Sequence, residues 1–290
     1  MDKIYFKYED DIINPCWDNV FKATFTRDTP ESRGALDYLL SAIIKRPLNV
    51  LLITANEPPV DDVNERQIRY DIRCKFENGE LCDLEMTLNP DAYEPMRLEY
   101  YASKLFVSQN IRGADKTYND LKNTYQISFF VNSPILKDDV FVHHFRYYDE
   151  ETGISLSGRS HIITIELSKL EQIALKPVVE MTALERWGVF FKYTPDKEKR
   201  ELVNEIIKFE EGIAMAGQVL LSISKDERER ARLDSEFKFA LDLQSKTVDA
   251  RRAGIIQVAR NFLKMSIPIE QIAEGTGLTV EEIENLRSNS

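Results

Sequence analysis

The stretch Tyr70-Asp71-Ile72-Arg73-Cys74-Lys75-Phe76-Glu77-Asn78-Gly79-Glu80-Leu81-Cys82-Asp83-Leu84-Glu85-Met86-Thr87 decides how the chain is read. Two runs of alternating apolar and charged residues flank Asn78-Gly79, a pair that reverses a chain because glycine takes positive φ without steric cost. Loop length then sets the faces, since a one-residue slip sends every side chain to the other side of the sheet. With Asn78-Gly79 alone as the loop, Ile72 would oppose Glu85 and both faces would mix apolar with charged groups. A three-residue loop, Glu77-Asn78-Gly79, with Gly79 in the left-handed position of a bulge, separates them. Ile72, Cys74 and Phe76 then share one face with Cys82, Leu84 and Met86. Asp71, Arg73 and Lys75 share the other with Thr87, Glu85 and Asp83, and Asp71 opposes Glu85.

Directly opposed side chains in an antiparallel pair have Cβ atoms roughly 4.5–5.5 Å apart, and like charges there are destabilising. Two readings answer this. In one, Arg73 and Lys75 neutralise a solvated sheet face, an ordinary arrangement in half-exposed strands. In the other, a divalent cation lies between the carboxylates, whose hard oxygens suit Mg²⁺ or Mn²⁺.

An Asp on one strand, a hairpin, and Glu-x-Gln or Glu-x-Lys on the next resembles the PD-(D/E)XK nuclease superfamily. The closer resemblance is to the Rpn family of recombination-promoting nucleases and transposases. Asp18-Asn19-Val20-Phe21-Lys22 is similar to that family's opening Asp-x-x-Phe-Lys, and Arg97, Tyr101, Lys104, Gln109, Gly113 and Tyr118 are similar to the run that follows its hairpin. The tail from Ile269 to Leu286, with Ile272-Ala273 and Thr276-Gly277-Leu278, resembles a module common at its C-terminus. Thr87 stands where the family has Gln or Lys.

The resemblance implies an α/β (α+β) fold: a PD-(D/E)XK-like mixed central sheet flanked by helices, then a helical C-terminal region with a helix-turn-helix-like end. It implies a Mg²⁺- or Mn²⁺-dependent DNA endonuclease acting in recombination or on foreign DNA. Asp71 and Glu85 would hold the metal, and Thr87 or Lys104 would help with catalysis. Lys104 is included because a catalytic lysine migrates to a helix in some nucleases of the superfamily. Asp18 and Gln109 are supporting candidates. The alternative is a catalytically impaired member that serves as a binding or regulatory protein.

Composition bounds these readings. The 290 residues, 43% hydrophobic, suffice for a substantial core, in one large domain or two smaller ones. The net charge of −11 argues against indiscriminate attraction to nucleic acid, so a DNA contact would need a local basic patch or a metal that offsets the acids. The N-terminus lacks a basic start with an apolar core, and no run approaches 18 apolar residues; a cytoplasmic protein without membrane contact is expected. Cys16, Cys74 and Cys82 form neither a disulfide framework nor a metal pattern, and packing is their expected role. His143 and His144, being adjacent, point to opposite faces of a strand, a poor arrangement for shared zinc; with His161 they read as packing and surface.

In chain order, residues 14–46 carry helical periodicity broken at Asp28-Thr29-Pro30-Glu31, where Thr29 caps a second helix. Residues 50–54 read as a short buried strand, and 56–64 as a polar connection. A helix is expected over 96–111, and strands over 125–131, 140–148 and 161–167. From 170 the pattern turns helical, with one helix expected from Lys197 to about Ser222. The mixed-charge run 225–232 reads as a solvated helix face. Thr279 and Glu282 form a capping box opening the last helix, whose Glu281, Glu282 and Glu284 have the wrong sign for phosphates. The expected division is 1–170 nuclease-like, 171–245 helical extension and 246–290 helix-turn-helix-like module, with the C-terminal helices as a possible homo-oligomer contact.

Overall fold

The computed structural model describes residues 4–54, 70–109, 111, 116–156, 158–265 and 267–288, with side chains omitted at 242–251 and 288. The polar connection expected at 56–64 and the family-like Gly113 lie outside the described residues.

Among the described residues six strands form one mixed sheet: β1 (Val50–Ile53), β2 (Ile72–Phe76), β3 (Leu81–Thr87), β4 (Thr124–Phe130), β5 (Val142–Phe145) and β6 (Ser160–Glu166), in the order β1-β2-β3-β4-β6-β5. The β1, β2 and β3 pairings are antiparallel, β3, β4 and β6 run parallel, and β5 closes the far edge antiparallel to β6. The hairpin takes the three-residue loop: Ile72 pairs with Leu84 and Cys74 with Cys82, and Gly79, at φ 85°, donates its N–H to the Phe76 carbonyl.

One face of this sheet is apolar. Ile72, Cys74, Cys82, Leu84, Ile127, Phe129, Ile163 and Ile165 are all buried on it. Against it packs an aromatic cluster from α1 (Asp18–Phe25) and α4 (Ala183–Tyr193), in which Phe21 and Phe191 meet Phe129 edge-on at 6.3 and 5.3 Å and Trp187 stacks on Phe191. Such pairs stabilise beyond the area they bury. Behind them α2 (Pro30–Ile44) lies against α6 (Glu211–Lys225). That approach is close enough that a Cβ on Gly212 would fall 2.2 Å from Tyr38 Cβ. α2 starts as its sequence foretells, with the Thr29 hydroxyl accepting from the Ser32 N–H and Pro30 in the first turn.

Three expectations change. β1 is not buried: Leu51 and Leu52 are 59% and 54% exposed, because among the described residues β1 is an edge strand paired only to β2. The single helix expected from Lys197 is two, α5 (Arg200–Phe209) and α6, separated at Glu210, whose backbone is extended. Residues 171–233 are no separate extension; α4, α5 and α6 contribute Trp187, Val203, Ile207 and Leu220 to the same core as the sheet.

The chain divides into units 1–233 and 234–290, the boundary falling within α7 (Glu227–Lys264). In the second unit α8 (Ile269–Thr276) and α9 (Val280–Ser288) join the end of α7 around Ala259, Ile272 and Ile283. Gly277 ends α8 in the left-handed conformation, and Thr279 and Glu282 make the foreseen reciprocal cap. Among the described residues no helix is long and apolar enough to cross a membrane.

Candidate active site

The other face of the sheet carries polar side chains that are also buried. Strand register puts Glu85 of β3 beside Ser128 of β4 and Thr164 of β6, and Asp83 beside Gln126. All five are under 5% exposed. The remaining helix, α3 (Glu94–Val107), covers this face through Leu98, Ala102 and Leu105. Polar groups withdrawn from water without full hydrogen bonding cost free energy, so a face built this way is not explained by folding.

The acids gather at one end of it. Asp71 immediately precedes β2 and, continuing the hairpin register, stands opposite Glu85 on the shared polar face. Its Oδ2 accepts from the Met86 N–H at 3.1 Å and its Oδ1 lies 3.0 Å from the Lys22 Nζ. Lys22 comes from α1 and also lies 2.8 Å from Asp18 Oδ1, one helical turn before it. Glu85 Oε2 lies 3.1 Å from the Arg97 guanidinium, which is also 3.1 Å from Glu94 and 3.4 Å from the Thr87 hydroxyl. Glu85 Oε1 is buried with no hydrogen-bond partner among the described residues.

Burial and mutual repulsion outweigh these cations. Burial, then the charge of Asp18, pushes the Asp71 carboxyl up to about 6, against the pull of Lys22 and the Met86 N–H. Burial, then Asp71, pushes Glu85 up to about 8 despite Arg97. Asp83, wholly buried, is raised well above the usual carboxylate range by burial and by Glu85 and Asp71. Burial pulls Lys22 down, but Asp71 and Asp18 more than offset it and leave it raised. Two like acids facing each other in a polar setting largely withdrawn from water, with raised pKa values, make this a candidate active site.

The structure thus brings Asp71, Glu85, Thr87 and Asp18 into one neighbourhood. It does not bring Gln109 there: both ends of that amide hold the backbone of Lys122, at 2.8 and 3.1 Å, fixing the end of α3 to the approach of β4. Lys104 sits two helical turns beyond Arg97 with its Nζ over the Tyr100 ring at 5.8 Å. Among the described residues Lys22 and Arg97 touch the acids, and the sequence offered both only as members of family-like runs. Asp83 was placed on the acids' face by the hairpin register alone, and Glu94 carried no advance signal beyond its sign.

Away from this site, Cys74 and Cys82 are buried free thiols on the apolar face. His144 Nε2 meets His161 Nδ1 at 3.0 Å, and His143 pairs with Asp138. Among the described residues no three His, Cys, Asp or Glu side chains gather as a metal-binding group.

A family model described as PD-(D/E)XK nuclease family transposase matches residues 15–250, which contain the hairpin, α1 and α3. No curated protein and no solved structure matches the chain.

Proposed function

We propose that this chain, which belongs to the PD-(D/E)XK nuclease family transposases, is a divalent-cation-dependent DNA endonuclease whose metal would be held by Asp71 and Glu85. Family membership carries a nuclease-like function; the endonuclease activity, the metal and the DNA substrate are our reading. The observation that supports it most is the pair of opposed carboxylates, Glu85 buried with an orphaned oxygen and Asp71 half-buried, on a face where folding alone would favour apolar residues.

The residues present fit a hard cation. All available donors are oxygen, and Mg²⁺ in phosphate-processing sites is held by one or two carboxylates, with waters and substrate oxygens completing its shell. A pair of acids, rather than three, is therefore sufficient. When bound, such an ion polarises the phosphate ester and makes a coordinated water more acidic. The chain's own groups set the stage: the Met86 N–H orients Asp71, and Arg97 holds Glu85 and reaches Thr87. α3 covers the sheet beside the acids and keeps bulk water from that face.

A second reading, a binding or regulatory member without turnover, is favoured by Thr87, which cannot donate the positive charge that Lys would place two residues after Glu85. One experiment separates them. Supercoiled plasmid is incubated with Mg²⁺ or Mn²⁺ and wild type, Asp71→Ala or Glu85→Ala protein. Cutting by wild type that both substitutions abolish is expected; equal, null cutting by all three would leave the regulatory reading.

A further inference from the structure

Lys22 Nζ is held between two carboxylates, at 2.8 Å from Asp18 Oδ1 and 3.0 Å from Asp71 Oδ1. Asp71 is 17% exposed and Asp18 55%, so the amine bridges a half-buried acid and a surface one. An ammonium has three donors on a flexible stem, and it can release one partner while keeping another. Arg97 has less freedom, since its guanidinium is shared by Glu85, Glu94 and Thr87.

We infer that Lys22 is a tethered cation that yields Asp71 to an incoming divalent ion, stays on Asp18, and turns its freed donor to the substrate phosphate in the role that Thr87 cannot fill. The inference rests on the reading that Asp71 and Glu85 hold a metal. Three features carry it. Lys22 occupies an oxygen that the metal needs, so the two cations compete. Asp18 gives the displaced amine an alternative partner, so displacement leaves no unpaired buried charge, the outcome that makes breaking a buried ion pair costly. Asp18 would keep the displaced amine beside the carboxylate that would hold the metal, where a substrate phosphate drawn to that metal would meet it. The cation missing from β3 is thereby supplied from α1.

The test reads binding, so it does not depend on turnover. Mn²⁺ is titrated calorimetrically into DNA-free protein, and a DNA duplex is then titrated in the presence of Ca²⁺. Lys22→Met is expected to tighten Mn²⁺ by about threefold, since a rival ion pair of ordinary partly exposed strength is gone. Asp18→Asn is expected to weaken it by about the same factor, because Lys22 is left with Asp71 alone. Lys22→Met should at the same time weaken the duplex by about tenfold, the loss of one charge-assisted phosphate contact, while Lys22→Arg keeps most of it. Adding Thr87→Lys to Lys22→Met should recover the duplex affinity. Lys75→Met, which removes an exposed charge farther along β2, controls for general electrostatics and should leave Mn²⁺ affinity unchanged. Mn²⁺ affinities that fall or stay level in Lys22→Met overturn the inference and leave the metal reading intact, as does a duplex affinity untouched by that substitution. Wild-type protein that binds no Mn²⁺ overturns both.

Discussion

Leu84 and Glu85 are neighbours on β3, 0% and 4% exposed, and they face opposite sides of the same sheet. Leu84 lies among Ile72, Ile127 and Ile163, where each side chain gains by leaving water. Glu85 lies among Asp71, Asp83, Ser128 and Thr164, where each group loses by it, and Lys22 and Arg97 compensate only in part. Equal burial therefore means opposite things on the two faces. The apolar face is explained by stability; the polar face is maintained against stability and calls for a function.

Substitutions on each side can break this contrast. Leu84→Ala should cost the most, about 2–5 kcal/mol, as deletion of a wholly buried leucine leaves a cavity. Urea unfolding at constant m-value would measure it, and a loss under about 1 kcal/mol would mean that the apolar face is not the chain's principal core.

A cation that binds only the folded protein should act on the polar face alone. With Mn²⁺ at ten times its dissociation constant, the stabilisation should reach about 1.4 kcal/mol by mass action. At one fixed Mn²⁺ concentration it should be larger at pH 8 than at pH 6, since carboxyls raised to about 6 and about 8 must lose their protons to serve as ligands. Thermal melts at both pH values test the sign; a larger shift at pH 6 would contradict the placement of the metal on Asp71 and Glu85.

Without metal the same acids should make the protein less stable as pH rises. A carboxyl whose folded pKa is raised binds more protons folded than unfolded, so its contribution is complete below the ordinary carboxylate value and is lost as pH climbs to the folded value. For Glu85 that interval runs from 4.5 to about 8. His161, pulled down to about 4 by burial first and then by Arg146 and His144, has the opposite slope below about 6.5. The window from pH 7 to 8 therefore isolates the acids, with a loss of about 1 kcal/mol, bounded by the linkage value of about 1.4 kcal/mol per unit and group. Glu85→Gln should flatten that slope and raise stability at pH 8. An unchanged slope in the variant would place the titration elsewhere.

How much of this could be read from the residues follows the same division. The hairpin was legible because Asn78-Gly79 and strict alternation are local: only one loop length sorts Ile72 and Leu84 from Asp71 and Glu85. The caps at Thr29 and Thr279 were legible for the same reason. Long-range placement was not. Nothing local announces that α3 lies over Glu85, that Gln109 grips the backbone of Lys122, or that Lys22 reaches Asp71 across 49 positions of sequence. The exposure of Leu51 and Leu52 escaped notice because an apolar run reads alike in a central strand and at a sheet edge. The break at Glu210 escaped because an acidic residue is as ordinary inside a helix as between two.

The smallest effect is expected where the two faces meet the end of the sheet. Thr87 is half-buried at the end of β3, and its hydroxyl has one long contact, 3.4 Å, from an Arg97 that already holds Glu85 and Glu94. Thr87→Val keeps the shape and the strand preference and removes only that hydroxyl. Stability should move by no more than about 0.5 kcal/mol, the usual range for a substitution outside any network, and Mn²⁺ affinity should not change. If instead Mn²⁺ affinity fell severalfold, the Thr87 hydroxyl would belong with the acids, the polar face would extend one residue farther along β3, and the departure from the family's Gln or Lys would be a working substitution rather than a gap that Lys22 must fill.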